Sequence, residues 1–574
     1  MLDRKSKNAT LLTFRLRGSQ EDMGRQHGEI LRDTEGWRQL LDFYPQMAVR
    51  MLTMRMPLGI RRMAHPVFRR FLDTRAERLH QSREQLFPRY FDRTAALLLA
   101  AGVDPSLAVA FTVMDVTQNA IARLASVLPS ELTGLKIAGN PGCSSVAVWG
   151  DRSEDGLLRH ARNFDFPGVG VWDPIPALVY CDPVEGLRYA FVTALGADAP
   201  GVTCFNEAGL TLTTHTRFHR EVNSRQAVVM DIGHEIIRRA RTLEEAVHVA
   251  KSIPSSSTWG YLISSASEGR AIVLETHSEA WRVTEPTDEY MITTNHYLHP
   301  YMQVGEVITT EGFRVDSQAR YYSIAQQIKH ATSNDESLKR LLMSVYNPDA
   351  VGHENEGYAL CGDCVSAPHT VKSIVAVPEA EQLHISVGHA PSSLGPWVVA
   401  PWNQWDGPVG RCDDLQSTGK RATPGSDPHA PDAGGALDHY IYAVRRQIEG
   451  AHTQELRELL KQACALAPKE PHFHFAAGTF AIMAGDLSSA TDHLESSRTY
   501  AASPYRRALA LLWLQRVHHL RGNEEASTSA AGVLQRMKGD HVKHLCKASL
   551  KELRNPRTLR SLRGQLPDLL LIDA

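Results

Sequence analysis

The first part of the chain has apolar residues at helical spacing behind a single strand pattern. Thr10 to Arg17 alternates between apolar and polar residues, which predicts a β-strand. The acidic residues of Gln20 to Leu31 are typical of the first turn of a helix. From about residue 30 to 125, Leu, Met, Ala and Arg recur with a helical period, as in residues 93–101. The pattern therefore predicts one strand and four or five helices.

Short β-rich runs separated by turn residues replace this pattern from residue 143 to about residue 400. Examples are residues 210–214 and 271–276, which are rich in Thr, Leu, Ile and Val. Three helical patterns interrupt the runs, at residues 228–241, 243–252 and 317–331. Strands in series with interspersed helices indicate an α+β domain built in layers.

Residues 412–435 are a predicted linker, because Pro, Gly, Ser and Asp dominate them. Residues 436–574 show helical patterns alone. Two of these patterns begin at Pro471 and Pro504, 33 residues apart, and the glycines that end them lie 37 residues apart. This spacing is near the period of about 34 residues of tetratricopeptide helix pairs, although the full consensus is not met. Two interpretations stay open: a degenerate repeat domain with a partner-binding groove, or an ordinary helical extension.

Charge and composition narrow the class of protein. Lys and Arg number 62 and Asp and Glu 64, for a net charge of -2, which argues against a nucleic-acid surface or a polybasic membrane patch. Apolar runs are well short of the ~20 residues of a membrane span, and the apolar patch at residues 11–14 is too short for a signal-peptide core. We therefore expect a cytoplasmic protein with neither a membrane nor a nucleic-acid partner.

The eight cysteines lack a dense spacing pattern, which indicates reduced thiols and not a disulfide framework. Cys361 and Cys364 have the spacing of a redox or zinc pair. A zinc site would need two more ligands, and His353 and His369 are near in sequence without forming a second pair of finger-like spacing. We expect neither a metal nor a cofactor.

Cys143 joins a turn, a thiol and a strand. Residues 140–142 predict a turn, and the apolar run that follows predicts a strand with Cys143 at its head. Arg162 comes 19 residues later, after a turn and a second strand, so a hairpin would return Arg162 and Asp165 to Cys143. A guanidinium favours the thiolate, and a carboxylate can orient an amine. A structural salt bridge between Arg162 and Asp165 is the alternative.

Further motifs accompany this hairpin, and they are Arg162-Asn163-Phe164-Asp165, Phe205 to Leu210, Thr293 to His296, Met23 to Glu29 and the short segment Ser317 to Tyr321. Together they resemble the N-terminal-nucleophile (Ntn) hydrolases that use a cysteine. Within that class they resemble the choloylglycine hydrolase and penicillin V acylase group and, most closely, the family typified by isopenicillin N acyltransferase (peptidase family C45). The resemblance covers roughly residues 11 to 400 and leaves the helical tail outside.

The resemblance implies a fold of four layers, αββα, for residues 143–411. A helical N-terminal segment of residues 1–142 would precede this catalytic domain, and an all-α, tetratricopeptide-like domain would follow the linker.

The resemblance also implies residue roles. Cys143 would be the nucleophile, with Arg162 and Asp165 beside it. Asn206 and Asn295 would donate hydrogen bonds to the oxyanion, through the Asn206 backbone and the Asn295 side chain.

In such enzymes the cysteine becomes the first residue of the catalytic chain, which here implies a cut between Gly142 and Cys143. The thiol would attack the Gly142 carbonyl, and hydrolysis would release a Cys143 α-amine of pKa ~8 that serves as its own base. Glycine fits before the cut because it has no side chain to obstruct the attack. Residues 1–142 would then be a propeptide or a small subunit.

Two departures leave the reaction open. The arginine of the Arg162 motif is that of the hydrolases, whereas the long segment before Cys143 is that of the acyltransferase-like family. The first reaction is cleavage of the C–N bond of a small N-acyl amine or N-acyl amino-acid conjugate through an acyl thioester. The second is transfer of the acyl group to an amine.

Two more side chains are candidates for the site, and another class of function stays open. His215 could line the substrate pocket or be a structural histidine, and Arg320 matches a late active-site arginine of the choloylglycine group. Dinucleotide, Walker, His-Glu-x-x-His and Gly-x-Ser-x-Gly motifs are absent from the sequence. The alternative class is an interaction protein with an inactive Ntn-like core, whose helical tail binds a protein partner or a second copy.

Overall fold

The structure is a computed structural model that describes residues 10–53, 58–127, 142–166, 168–344, 364–417, 433–501, 503–563 and 569. The strands are β1 (Thr10–Gly18), β2 (Gly142–Gly150), β3 (Gly156–Asp165), β4 (Pro176–Pro183), β5 (Tyr189–Ala194), β6 (Thr203–Asn206), β7 (Leu210–Thr216), β8 (Trp259–Ser265), β9 (Arg270–His277), β10 (Ala280–Thr284), β11 (Tyr290–Thr293), β12 (Thr370–Val377), β13 (Gln382–Ser386), β14 (Trp397–Pro401), β15 (Gly410–Arg411) and β16 (Leu415–Gln416). The helices are α1 (Gln20–Arg32), α2 (Gln39–Thr53), α3 (Leu58–Leu86), α4 (Pro88–Ala100), α5 (Val113–Val127), α6 (Val229–Arg239), α7 (Leu243–Lys251), α8 (Pro300–Gln303), α9 (Glu311–His330), α10 (Asp335–Leu342), α11 (Ala433–Ile448), α12 (Thr453–Leu466), α13 (Pro471–Ala484), α14 (Leu487–Tyr500), α15 (Pro504–Leu520), α16 (Glu524–Gln535), α17 (Lys543–Arg554) and α18 (Leu559–Arg563).

Two sheets form the centre of the protein. The larger has the strand order β10-β9-β8-β7-β6-β5-β4-β1-β15, with β16 also paired to β1, and the smaller has the order β11-β2-β3-β12-β13-β14. Within these sheets β1 and β4 pair in parallel and the other neighbouring strands are antiparallel. Antiparallel neighbours suit the short connections that the sequence provides.

The sheets stack face to face, with helices on both outer faces. One apolar cluster between the sheets joins Leu178 and Val192 of the larger sheet to Ile374 and Leu383 of the smaller sheet. A second cluster packs α6 and α7 on the outer face of the larger sheet, and a third packs α9 and α10 on the smaller sheet. The fold is therefore α+β with four layers in the order αββα, as predicted.

The helices that precede Cys143 in the sequence are integral to this core. Gly24 and Gly28 let α1 lie directly against α4, because a Cβ at either position would come within 2.1 Å of the carbonyl oxygen of Arg93 or Leu97. The Arg93 guanidinium then holds the buried Asp198 carboxylate at 2.7 and 2.8 Å.

A second buried pair ties the same region to α6. Arg83 of α3 donates to both carboxylate oxygens of Asp231, at 2.7 and 2.9 Å. The side chains are 7% and 2% exposed, so each charge depends on the other for solvation.

The C-terminal region is helical, with α11 and α12, α13 and α14, and α15 and α16 packed as successive pairs. The predicted starts at Pro471 and Pro504 are confirmed as the first residues of α13 and α15. Gly485 ends α13 in the left-handed conformation, φ 86°, which glycine adopts at little cost. Whether these pairs form a tetratricopeptide-like repeat stays a prediction.

The structure corrects several boundaries. Helix α9 begins at Glu311 behind the N-cap Thr310, six residues before the predicted start at 317. Residues 412–417, expected in a linker, include β16, which pairs with β1, and α11 begins at Ala433. Because β1 lies inside the larger sheet, residue 142 does not separate two structural domains. The remainder of the linker, residues 418–432, and Cys361 of the cysteine pair lie outside the described residues.

Within the described ranges, none of the helices has both the length and the apolar character that crossing a membrane requires.

Candidate active site

The hairpin of β2 and β3 places Cys143, Arg162 and Asp165 together, as the spacing predicted. Cα partners across the pair are Gly142 with Asp165, Cys143 with Phe164 and Ser145 with Arg162. The turn at residues 151–155 brings the second strand back over the first. Both strands are almost wholly buried, so the polar side chains meet in an environment with little water.

The Cys143 thiol is buried, with 2% of the residue exposed, and faces the Arg162 guanidinium. Sγ lies 3.5 Å from Arg162 Nη2. Burial raises the pKa of the thiol, Arg162 opposes that rise, and the Asp165 carboxylate adds to it. In this uncleaved chain the thiol is therefore held neutral.

Arg162 is fixed by both sheets. Nη2 donates to the Thr214 carbonyl oxygen at 2.7 Å, and Nη1 donates to Thr203 Oγ1 at 2.5 Å and to the Val202 carbonyl oxygen. Four contacts, including the thiol, leave the guanidinium little freedom to reorient. The end of β7 and the start of β6 are therefore parts of the site that the sequence analysis did not identify.

Asn295 and Arg320 hold the backbone of Cys143. The Cys143 N–H donates to Asn295 Oδ1 at 2.8 Å, and Arg320 Nη1 donates to the Cys143 carbonyl oxygen at 2.8 Å. Arg320 Nη2 also donates to Asn295 Oδ1 at 2.9 Å. Asn295 Nδ2 donates to the Thr216 carbonyl oxygen at 3.2 Å, which engages one of its two amide hydrogens. Arg320 thus contacts the backbone of Cys143.

Asp165 lies beside Gly142, after which the sequence predicts a cut. Its Oδ1 accepts from Thr370 Oγ1 at 2.6 Å, whereas Oδ2 has no hydrogen-bond partner among the described residues. Burial raises the pKa of Asp165 to about 7, against the opposing effects of Arg320 and of the Thr370 hydrogen bond. A Cβ built on Gly142 would lie 3.5 Å from Asp165 Oδ2 and 3.4 Å from Arg320 Nη2, which are ordinary contacts. Packing alone therefore does not demand glycine at position 142.

The Asn206 side chain is engaged away from the thiol, and the oxyanion role expected of the Asn206 backbone stays a prediction. Its Nδ2 donates to the carbonyl oxygens of Ile237 and Ala240 at the end of α6, both at 2.8 Å. Its Oδ1 accepts from the N–H groups of Ala208 and Leu210 in the turn after β6. Asn206 thus joins a helix end to a turn, and β6 approaches Arg162 at its opposite end.

The surroundings of His215 favour the interpretation as a structural histidine over a place in the pocket wall. A cavity of about 90 Å³ opens beside Cys143 and is lined by Thr214 and Thr216, whereas His215 between them is not among its lining residues. Side chains alternate across a strand, so His215 faces the space between the sheets, where Nε2 lies 3.5 Å from Thr213 Oγ1. Burial and the nearby Arg162 hold the pKa of His215 well below its usual value, as for a neutral structural histidine.

The cavity wall is largely aromatic and aliphatic, and most of its residues were not predicted from the sequence. Tyr44 comes from α2, Phe166 and Trp172 follow β3, and Trp259 begins β8. These residues are far apart in sequence and belong to no common motif, so no local signal marks them. The Phe164 and Phe166 rings stack at 5.1 Å and Trp172 packs edge-on to both, which makes this wall rigid.

Comparisons with known proteins bear on this site. Residues 156–369 match the family model described as acyl-coenzyme A:6-aminopenicillanic acid acyl-transferase. The matched segment contains Arg162, Asp165, Asn295 and Arg320 and begins after Cys143. The search of curated protein sequences gave no match.

Two solved structures share a low similarity with the chain. One is the Caenorhabditis elegans orthologue of N-acylethanolamine-hydrolyzing acid amidase, with 16% identity and a TM-score of 0.29 over 41% of this chain and 93% of that one. The other is penicillin V acylase from Agrobacterium tumefaciens, with 15% identity and a TM-score of 0.28 over 45% of this chain and 86% of that one.

The family match and the two facing sheets define an Ntn-hydrolase-like protein. It is an enzyme of the hydrolase or acyltransferase class.

Proposed function

We propose that the protein is a self-processing amidohydrolase with Cys143 as its N-terminal nucleophile. It would cleave the C–N bond of a small N-acyl amine or N-acyl amino-acid conjugate. The observation that carries the proposal is the convergence of Arg162, Asn295 and Arg320 on the thiol and backbone of one cysteine. A structural cysteine in a core has no need of such a set of polar neighbours.

Processing begins when the Cys143 sulfur attacks the Gly142 carbonyl carbon. The C–S bond forms, the C–N bond breaks, and the Cys143 nitrogen takes up a proton to become an amine. Water then hydrolyses the thioester, giving a Gly142 carboxylate and a free Cys143 thiol. Asp165 is placed to take part, because its unpartnered Oδ2 lies beside Gly142 and its pKa of about 7 lets it give or accept a proton near neutrality.

The new α-amine would serve as the base in turnover. In the uncleaved chain the Cys143 backbone N–H donates to Asn295 Oδ1. The α-amine formed from the same nitrogen would donate to the same oxygen, so Asn295 would hold the amine in place. With a pKa of ~8 the amine can take the thiol proton as sulfur attacks a substrate carbonyl. Arg162, 3.5 Å from Sγ, would favour the thiolate.

The oxyanion needs hydrogen-bond donors, each typically worth about 3 kcal/mol. The second amide hydrogen of Asn295 Nδ2 is one candidate, since among the described residues that nitrogen donates to Thr216 alone. The side chain of Asn206 is not proposed for this role, because its amide is engaged at the end of α6, and the part expected of its backbone N–H stays a prediction.

The cavity favours an apolar acyl group. Its wall of Tyr44, Phe166, Trp172 and Trp259 offers carbon surface next to the thiol, which suits a short aliphatic or aromatic acyl chain. Because Tyr44 belongs to α2, the N-terminal region would have to stay attached after the cut to complete the pocket. We therefore propose a small subunit and not a released propeptide.

Intact-mass analysis of the purified protein tests the proposal. We expect two fragments that divide between Gly142 and Cys143, a single intact chain for Cys143→Ala, and slow or partial cleavage for Cys143→Ser. Gly142→Ala is the matched control, because its Cβ fits, and it should still be cut. A wild-type chain that turns over N-acyl amides while still intact would contradict the processing step.

Acyl transfer is the second candidate, and the family match favours it. Both reactions share the acyl thioester and differ in whether water or an amine takes the acyl group. Turnover of an N-acyl amide with added hydroxylamine distinguishes them: a hydroxamate in excess of the free acid indicates transfer, and free acid alone indicates hydrolysis.

A further inference from the structure

Three side chains that commonly bind metals meet in the C-terminal helices, far in sequence from the proposed active site. They are Cys464 of α12, His474 of α13 and His493 of α14, so three consecutive helices contribute one residue each. One ligand atom from each, Sγ or an imidazole nitrogen, lies within 4.8 Å of the other two. We propose that these residues bind one divalent transition-metal ion of the zinc class.

The separation of the atoms suits a small tetrahedral ion. Bonds of about 2.3 Å to sulfur and about 2.0 Å to nitrogen place the ligand atoms of such a site about 3.3 to 3.5 Å apart. His474 Nδ1 and His493 Nδ1 are 3.0 Å apart, slightly closer than that. Small side-chain rotations would open the pair around an ion, with no displacement of the helices.

His474 is already oriented as a metal ligand. Its Nε2 lies 2.8 Å from the Pro468 carbonyl oxygen, which can only accept, so Nε2 carries the hydrogen. Nδ1 therefore presents its lone pair to His493. A backbone carbonyl that holds the far nitrogen in this way is the usual support for a ligating histidine.

The two histidines share one hydrogen when no metal is bound. His493 Nδ1 must donate it to His474 Nδ1, since the latter has none. Metal binding would move the His493 hydrogen to Nε2 and release the Cys464 thiol proton to solvent. His493 is half-buried, so water can solvate its Nε2–H.

The ligand set selects the kind of metal. A thiolate with two imidazoles favours zinc and similar ions over Mg²⁺ or Ca²⁺, which prefer oxygen. Cys464 is 5% exposed and His474 8%, so both lie in the helical core, and the half-buried side at His493 leaves a fourth position for water. The ion would join α12, α13 and α14, and this inference does not depend on the proposed function of Cys143.

Cobalt titration of the full-length Cys143→Ala protein tests the site. This background removes the active-site thiol as a competing ligand, and prior dialysis against a chelator removes bound metal. We expect one Co²⁺ per chain, with sulfur-to-cobalt charge-transfer absorption and the visible bands of a four-coordinate ion, all displaced by Zn²⁺. Cobalt should also raise the melting temperature.

Variants assign the ligands. Cys464→Ser should lose the charge-transfer band, and His493→Ala should weaken Co²⁺ binding by at least about tenfold. The matched controls are Cys546→Ser on α17 and His518→Ala on α15, which remove a thiol and a half-buried histidine of the same domain and should bind as the parent does. Circular dichroism checks that each variant is folded, and His493→Ala keeps the test valid if Cys464→Ser misfolds.

Binding without a thiolate band, binding that Cys464→Ser and His493→Ala leave unchanged, or no stoichiometric binding by the folded parent would each overturn the proposal.

Discussion

The helices before and after the catalytic core contact it in different ways. The N-terminal region contributes β1, which pairs with β4 over seven residues inside the larger sheet, and it buries Arg93 against Asp198. The C-terminal region, within its described residues, adds no strand to either sheet. It contacts the N-terminal region through an apolar cluster shared with α2 and through Arg50 Nη1, which donates to the Gln447 carbonyl oxygen at 2.5 Å.

The position of a segment in the sequence therefore does not decide whether it belongs to the core. Residues 10–127 precede the proposed cut, yet their strand and buried charges are part of the catalytic fold. Within the described residues, the C-terminal helices add no strand to either sheet, and their buried apolar residues belong to a cluster that also includes residues of α2 and of the β2–β3 hairpin. We therefore expect the first region to be indispensable and the second to be separable.

Replacing Arg93 should have the largest effect. Arg93→Ala leaves the buried Asp198 without its partner, and breaking such a pair costs about 3–5 kcal/mol of folding free energy. Although burial alone would raise it, the pKa of Asp198 is held well below its usual value by Arg93, so the carboxylate is charged. Denaturant unfolding measures the loss, and gel filtration of the cleaved protein should show the N-terminal fragment separating.

The control is Arg516→Ala, which removes one of the two arginine partners of the buried Glu552 in the C-terminal region, the other being Arg557. It should destabilise those helices while the N-terminal fragment stays bound. Equal retention of the N-terminal fragment in both variants would contradict the expected difference between the two regions.

Asp165 tests the junction between the N-terminal region and the core, because it faces Gly142. In the uncleaved chain the pKa of Asp165, about 7, exceeds the ordinary value of 3.8, and the Cys143→Ala background keeps the chain uncleaved for the measurement. The folded state therefore binds the proton more tightly than the unfolded chain, and stability falls as pH rises from about 4 to about 7, by roughly 4 kcal/mol at most.

Asp165→Asn in the same background should remove this pH dependence. The variant should resemble its parent at pH ~4 and be more stable at pH ~8, as measured by urea unfolding at both pH values. Asp151→Asn, on the exposed turn of the hairpin, is the control and should change neither. A gain in stability of the same size at both pH values would refute the raised pKa of Asp165.

A smaller effect is expected from Arg50→Ala at the contact with the C-terminal region. Loss of its hydrogen bond to the Gln447 carbonyl oxygen should lower the free energy of unfolding by about 1 kcal/mol, because water can donate to that oxygen instead. Thermal unfolding measures the change, and cleavage before Cys143 should proceed at the wild-type rate. A destabilisation as large as that of Arg93→Ala would mean that the two regions are attached alike.

Ending the chain after residue 417 should have the smallest effect on the active site. The shortened protein keeps β1, β15 and β16 paired, so we expect it to be cleaved and to retain its N-terminal fragment. Intact-mass analysis checks the cleavage, and turnover of an N-acyl amide checks the site. Failure of cleavage in a folded, shortened protein would show that the C-terminal helices support the site around Cys143.

The sequence by itself determined the local parts of this protein. The spacing from Cys143 to Arg162 was enough to predict the hairpin that brings them together, because a strand, a turn and a strand of that length have few other arrangements. The starts of α13 and α15 at proline could also be predicted from the sequence, since proline is tolerated at the first turn of a helix.

Only the tertiary structure decided which distant side chains join the site. Asn206 and Asn295 look alike as motifs, but the first is engaged by the end of α6 while the second reaches Cys143 across the β2–β11 pair. His215 lies one residue from two cavity residues and still faces the other way, because a strand reverses its side chains at every step. The place of β1 in the larger sheet and of Tyr44 in the cavity wall rests on pairing and packing across more than 100 residues of chain, which local pattern does not encode.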